Sequence, residues 1–497
     1  MKRQPRKKPM PSLPRDGTQS AGAKVPSILL TAPIIKATWL NDPNLVFGGS
    51  GLSDDPKIGI PLFGPMSYNT SRHREEIHAG IIATSQLAET AIKFYEHLSS
   101  GVDGTDIYCP FPGCKPSIGY RTKIVFNNGQ TEIITHAEHQ EILSIKKARD
   151  RFDKTILLFE QKIRLLSEKD HPIDHIVIAI PDDIYKKCRV ADYTDEHSTA
   201  IHRDLRRSIK AIAMKYKVAT QILQESTFDL EFTPREKEHL SVIAWNLFTG
   251  LYFKSDGLPW GPSNISPGTC FIGVSFFRPV NNAGSIRTSV AQAFDENGEG
   301  LVLRGKSFQW DENKQGRSPH LSEELASDLI SQMIKRYREE RKQSPKKIVI
   351  HKTSRFEQNE RNGFVSVLKE YNCQYDLVAL ENTSMFRLVR AGRYPPLRGA
   401  CFSIGDLNYL YTTGFLPTSN QYPHGHVPSP LQIADHVGDS SKSELFRDIM
   451  VLTKMNWNSA NVDGAFPITL QFARAVGDVM REVPEGQEPH PKYKFYI

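Results

Sequence analysis

Residues 269–277, TCFIGVSFF, form a short run rich in apolar and aromatic side chains, bounded upstream by Pro267 and Gly268, and read as a buried strand. Working downstream, 285–308 (SIRTSVAQAFDENGEGLVLRGKSF) holds two strands around the turn residues DENGEG. Residues 322–341 (SEELASDLISQMIKRYREER) read as a helix, 346–354 (KKIVIHKTS) as a strand, 360–372 (ERNGFVSVLKEYN) as a helix and 374–383 (QYDLVALENT) as a strand.

Three strands, helix, strand, helix, strand is the order of the ribonuclease H fold. In that fold, acidic residues at the ends of the first and fourth strands hold two divalent ions for in-line phosphodiester cleavage. Here the first strand offers Ser275 and the fourth Thr353 or Ser354. Hydroxyls do not offset the charge of two divalent cations, so the folding pattern is present without its metal chemistry.

Upstream, the pattern alternates between strand and helix. Residues 75–100 read as a helix, 121–126 and 132–136 as strand pieces, 140–168 as one long helix and 175–181 (HIVIAIP) as a buried strand. A basic stretch follows at 199–222, TAIHRDLRRSIKAIAMKYKVATQI. Leu205, Ile209, Ile212, Ala213 and Tyr216 predict an amphipathic helix of about four turns, with Arg203, Arg206, Lys210 and Lys217 near one stripe. Like charges at i,i+4 repel, which favours an anion such as phosphate beside Arg206 and Lys210. Residues 219–224 then read as a strand, and 239–257 as a helix stopped by Gly257. This alternation predicts a parallel sheet covered on both faces, with ligands at the carboxyl ends of its strands. Before residue 76 the pieces 28–39, 44–48 and 58–65 read as short extended segments, and FGGSGLSDDP lacks the context of a phosphate loop.

A chain of 497 residues implies several domains. No run approaches the roughly 18 apolar residues of a membrane span, and no apolar segment follows the basic N-terminus, so the expected location is the cytoplasm and no membrane partner is expected. The net charge of +7 is concentrated in residues 1–24, a basic tail with a net of +6 that leaves the body nearly neutral. Any nucleic-acid site must be a local concentration of charge. Six dispersed cysteines make no disulfide framework. Cys109 and Cys114 lack a second zinc-ligand pair, and His136, His139, His424 and His426 read as loop or surface histidines.

The segments FIGVSFF, KKIVIHKTS, LTKMNWNSAN (452–461), FPITLQFARAVGDVMRE (466–482) and KYKFYI (492–497) resemble the PIWI domain of prokaryotic Argonautes. The stretches 203–223 and 242–260 resemble their MID domain. The resemblance implies an α/β architecture, a Rossmann-like MID domain at 76–265 followed by a ribonuclease H-like PIWI domain at 266–497, preceded by an extended segment at 25–75. It leaves no room for N and PAZ domains, as in short prokaryotic Argonautes. Carried over by position, it implies that Arg206, Lys210, Gln221, Asn246 and Lys254 bind the 5′-phosphate of a guide. A further family lysine falls on Gly250. A Mg²⁺ ion held by Gln221 and the C-terminal carboxylate of Ile497 would then complete the pocket. The cleavage tetrad falls on Ser275, Thr353 and Arg474, with Glu323 and Glu324 the nearest candidates for its glutamate, so no guide-directed cleavage is expected. Arg474 would instead favour the backbone of a bound duplex.

The implied function is that of a guide-binding subunit in prokaryotic defence. Its partners would be a small guide RNA, a complementary single-stranded DNA target and an APAZ-domain effector protein with TIR, sirtuin-like or nuclease activity. Oligomer formation on activation is compatible with this. The competing readings are a divergent PIWI endonuclease using acids such as Asp295 or Asp311, and a metabolic α/β enzyme that binds a phosphorylated metabolite on the basic helix.

Overall fold

The computed structural model describes residues 35–497 apart from 195–199, 231–237, 281–284, 293–299, 301, 384, 393, 417–426, 463, 485–486 and 488–489. The basic tail and the residues Asp295, His424 and His426 therefore lie outside the described residues. Residues 37–497 form one compact unit.

The chain opens with strands β1 (Thr38–Trp39), β2 (Leu45–Val46) and β3 (Leu52–Ser53) and helix α1 (Pro56–Phe63). The apolar piece at 58–65, expected to be extended, is largely helical. Asp55 caps α1 by accepting from Lys57 N at 2.8 Å, and Pro56 occupies the first turn, where its missing N–H costs nothing.

Next come β4 (Glu76–Ala83), α2 (Ser85–Ser99), β5 (Lys123–Val125), β6 (Thr131–Ile133), α3 (His136–Ser144), α4 (Ala148–Ser167), β7 (His175–Ile180), α5 (Asp182–Cys188), β8 (Val190–Thr194), β9 (Ala200–Asp204), α6 (Leu205–Lys215), β10 (Ala219–Gln224), α7 (Leu240–Lys254) and β11 (Gly261–Pro262). Strands β10, β7, β4 and β5 lie side by side, with β6 also paired to β4, and every pairing is parallel. The period-2 pattern of β7 shows why both faces are covered. Ile176, Ile178 and Ile180 face a core shared with α4 and α6, while Val177 and Ala179 face the core that includes α2 and α7.

Three expected helices change. Residues 75–100 divide into β4 and α2, because the isoleucine-rich EIHAGIIA fills the sheet and Thr84 caps the helix that follows. Residues 140–168 divide into α3 and α4. The four-turn basic helix shrinks to α6, since Ala200–Asp204 pairs with β8 and Asp204 caps Leu205 onward through Arg207 N.

The remaining elements are β12 (Thr269–Phe277), β13 (Ser285–Gln292), β14 (Val302–Gln309), α8 (Glu312–Gln315), α9 (Glu323–Arg341), β15 (Lys347–Lys352), α10 (Gln358–Glu370), β16 (Gln374–Asn382), β17 (Ala400–Ile404), β18 (Leu407–Leu410), β19 (Leu431–Gly438), α11 (Lys442–Leu452) and α12 (Ile468–Met480). They build a nine-stranded sheet in the order β1-β17-β18-β19-β16-β15-β12-β13-β14, with β12, β15 and β16 mutually parallel. Cys270, Ile272 and Val274 face α9 and α10, whereas Phe271 faces the core that contains α12. Helix α12 lies so close to β12 that a Cβ at Gly273 would collide with the Thr469 carbonyl. That approach fixes α12 beside Ser275.

Candidate functional site: a cationic cavity between the two sheets

At the carboxyl end of β10, α6 and α7 meet the C-terminal segment and α12 around a cavity of about 440 Å³. Arg206, Lys210, Gln221, Asn246, Lys254 and Ile497 all line it, so the structure gathers the six expected positions in one place. Arg206 and Lys210 come from successive turns of α6, Gln221 from β10, and Asn246 and Lys254 from α7. Arg206 Nη2 donates to the Ile222 carbonyl at 3.4 Å, which turns the guanidinium across the end of β10.

The electrostatics of the cavity are set by three basic side chains held close together. Lys254 is buried at the end of α7, and burial followed by Lys210 and Arg206 holds its ammonium well below the usual lysine range. Burial and then Arg206 push Lys210 down to about 7. A phosphate here would relieve both effects, since it supplies opposite charge and several acceptors. Asn246 Oδ1 accepts from Ser459 Oγ at 2.9 Å and from Ala460 N at 3.1 Å. Its remaining capacity toward a ligand is the Nδ2 donor.

The oxygens expected to hold Mg²⁺ each have a lysine partner. Gln221 Oε1 accepts from Lys254 Nζ at 2.6 Å, and the main-chain oxygen of Ile497 accepts from Lys210 Nζ. Gly250 is buried, and a Cβ there would make ordinary van der Waals contact with Asn458 Oδ1 at 3.5 Å.

Two members of the expected basic stripe serve the scaffold or lie elsewhere. Arg203 Nε contacts Glu482 Oε2 at 2.5 Å, tying β9 to the end of α12, and Lys217 follows α6 with a positive φ. Residues that sequence reasoning missed also line the cavity, among them Glu238, Ile243, Asn456, Asn458, Gln471 and Tyr496. The amide cluster in NWNSAN was the signal available for two of them.

At the second site, Ser275 and Arg474 line a cavity of about 280 Å³ with Arg278, Asp478 and Arg481. Ser275 Oγ donates to the Ala473 carbonyl at 2.7 Å. Thr353 is exposed one residue past β15. The register Gly273 to His351, extended two residues along each strand, brings Ser275 and Thr353 to the same level. Glu323 and Glu324 open α9, in the layer on the other face of the sheet from α12, and so do not join Ser275. Asp311 caps α8 through Asn313 N. Among the described residues, no group of three or more His, Cys, Asp or Glu could hold a metal ion. No described helix is long and apolar enough to cross a membrane.

No protein-family model and no curated protein matches the sequence. Solved structures do match the fold. Clostridium butyricum Argonaute bound to a guide DNA and a 19-mer target DNA aligns with a TM-score of 0.63 at 15% identity, over 91% of this chain and 54% of that one. A. aeolicus Argonaute aligns with a TM-score of 0.55 at 16% identity, over 92% of this chain and 55% of that one. Drosophila Piwi gives 0.58 at 13%, over 92% and 56%. The chain therefore spans about half the length of these structures, and its mixed α/β fold is that of the MID and PIWI domains of Argonaute proteins.

Proposed function

We propose that this chain is the guide-binding subunit of a prokaryotic defence system. It holds the 5′-phosphate of a small guide, an RNA by resemblance, and presents the guide for pairing with a complementary single-stranded DNA target. The observation that carries this reading is the convergence of Arg206, Lys210, Gln221, Asn246 and Lys254 on one cavity. Base pairing then supplies sequence recognition while protein contacts read backbone and helix shape, as in other RNA-guided systems.

The target is held and not cut, because hydroxyls and a cation stand where metal-binding carboxylates would be needed. Arg474, exposed on α12, suits the phosphate backbone of the paired strands. Output then requires another chain, and an APAZ-domain effector with TIR, sirtuin-like or nuclease activity is the partner that fits a non-cutting sensor. Sequencing the nucleic acids that copurify with the chain, then adding complementary target with Mg²⁺ or Mn²⁺, tests the reading. Short 5′-phosphorylated guides and an intact target are expected. Discrete cleavage opposite the guide would overturn the proposal.

A further inference from the structure

The guide cavity brings together two chemically different sets of side chains. Arg206, Lys210 and Lys254 supply cationic groups, and Asn246, Asn456, Asn458 and Gln471 supply neutral amides. An ammonium or a guanidinium only donates, which suits the oxygens of a phosphate. An amide carries both a donor and an acceptor, and so suits a different partner.

Packing beneath the amides holds them in place. Trp457 is fully buried with its ring centroid 4.7 Å from that of Phe253, which pins the segment 456–460 onto α7. Asn246 Oδ1 fastens the same segment through Ser459 Oγ and Ala460 N. Asn456 Oδ1 accepts from Asn458 N at 3.1 Å, and Asn456 Nδ2 donates to Gln471 Oε1 at 3.5 Å. Gln471 Nε2 in turn donates to the Phe466 carbonyl at 2.6 Å.

Two of these side chains keep unused capacity. The Asn458 amide makes no side-chain hydrogen bond among the described residues, and Asn246 retains its Nδ2 donor. With no side chain at Gly250, Asn458 Oδ1 comes within 3.5 Å of where a Cβ would stand on α7. Gly250 precedes Lys254 by about 6 Å along the helix axis, and Asn246 precedes it by about 12 Å. A ribose follows its 5′-phosphate by only a few bonds, so a phosphate held at Lys254 puts the first sugars within that span. A ribose 2′-hydroxyl both donates and accepts, which matches an amide, whereas the methylene of deoxyribose does neither.

We propose that Asn458 and Asn246 read the ribose 2′-hydroxyls of the first two guide nucleotides, so that the cavity selects a 5′-phosphorylated RNA over a DNA of the same sequence. This rests on the guide reading above, and it assigns the choice of sugar to neutral amides and not to the cations that hold the phosphate. Asn456 and Gln471 are positioning residues, because their own amides are bonded and Asn456 orients Asn458 through its main chain.

Competition binding on the full chain compares a single-stranded 5′-phosphorylated RNA with the DNA of the same sequence, chosen without uracil or thymine so that only the sugar differs. Wild type should prefer the RNA at least about fivefold, the lower end for two neutral hydrogen bonds. An RNA with 2′-deoxy sugars at nucleotides 1 and 2 alone should lose most of that preference, and one with them at nucleotides 10 and 11 should keep it. Asn458 is exposed, so Asn458→Ala should fold, with melting curves as the check, and should lower the RNA-to-DNA ratio at least about twofold. Equal affinity of the wild type for RNA and DNA would overturn the proposal and leave the guide reading standing. So would a preference insensitive to the sugars at nucleotides 1 and 2. An Asn458→Ala variant that weakens both strands alike would place the amide on a base or a phosphodiester, and the proposal fails. Failure of the wild type to bind either strand would overturn the guide reading itself and this inference with it.

Discussion

Lys254 Nζ donates to Gln221 Oε1 at 2.6 Å, so the buried ammonium of α7 and the side-chain amide of β10 hold each other across the cavity. Removing the amide as Gln221→Ala should weaken a 5′-phosphorylated guide by about 1.5–3 kcal/mol, the range for a hydrogen bond to a charged group. Filter binding checks this. A Mg²⁺ ion held by Gln221 and the Ile497 carboxylate predicts that chelation with EDTA weakens guide binding. Loss of binding on chelation would show that a metal takes part.

Lys210 predicts a pH dependence. Its folded value, about 7, lies below the ordinary lysine value of 10.5, so between those limits the unfolded chain binds the extra proton and the guide-free protein gains stability as pH rises. A bound phosphate restores the ammonium. Guide binding should therefore take up protons above pH 7 and weaken as pH rises toward 10. Calorimetry at pH 8 in buffers of different ionisation enthalpy measures the uptake, and Lys210→Met should reduce it.

Much of the first site was legible because side-chain chemistry and order along the chain mark it. The apolar periodicity of α6 places Arg206 and Lys210 one turn apart, and HIVIAIP could only be a buried strand. What was not legible depended on tertiary context. EIHAGIIA carries apolar residues at spacings that suit either helix or strand, and the central place of β4 between β7 and β5 decides it. The tie of Arg203 to Glu482 spans 279 residues, so no local pattern announces it. Strands β17 to β19, which extend the large sheet, went unread among glycine- and proline-rich turns.

The loss of cleavage chemistry proposed at Ser275 and Thr353 should resist simple repair. Ser275→Asp replaces a donor by an acceptor facing the Ala473 carbonyl, which should destabilise the protein by about 1–3 kcal/mol. The Ser275→Asp, Thr353→Asp double variant should melt lower and leave target uncut with Mn²⁺. Cleavage by that variant would show that the surrounding architecture still supports metal chemistry.

Glu482 joins the two halves. Its carboxylate, 2% exposed, accepts from Arg203, from Ser208 Oγ at 2.9 Å and from Asp204 N at 3.2 Å. Glu482→Ala leaves Arg203 with the more distant Asp153 carboxylate at 3.7 Å, removes the acceptor of Ser208 Oγ and Asp204 N, and should cost about 1–3 kcal/mol in denaturant titration.

The role proposed for Arg474 on the paired strands is separable from guide capture. Arg474→Ala should reduce the salt slope of duplex binding by about one unit and leave capture of the single-stranded guide unchanged. Affinities measured from 50 to 300 mM salt read both effects.

The most direct test compares the affinity of the wild-type chain and of Lys210→Ala for one guide sequence bearing either a 5′-phosphate or a 5′-hydroxyl. The cavity formed by α6, β10 and α7 predicts that wild type prefers the phosphorylated end at least tenfold, and that the preference largely disappears in the variant. Equal affinity of the wild type for both ends would contradict it.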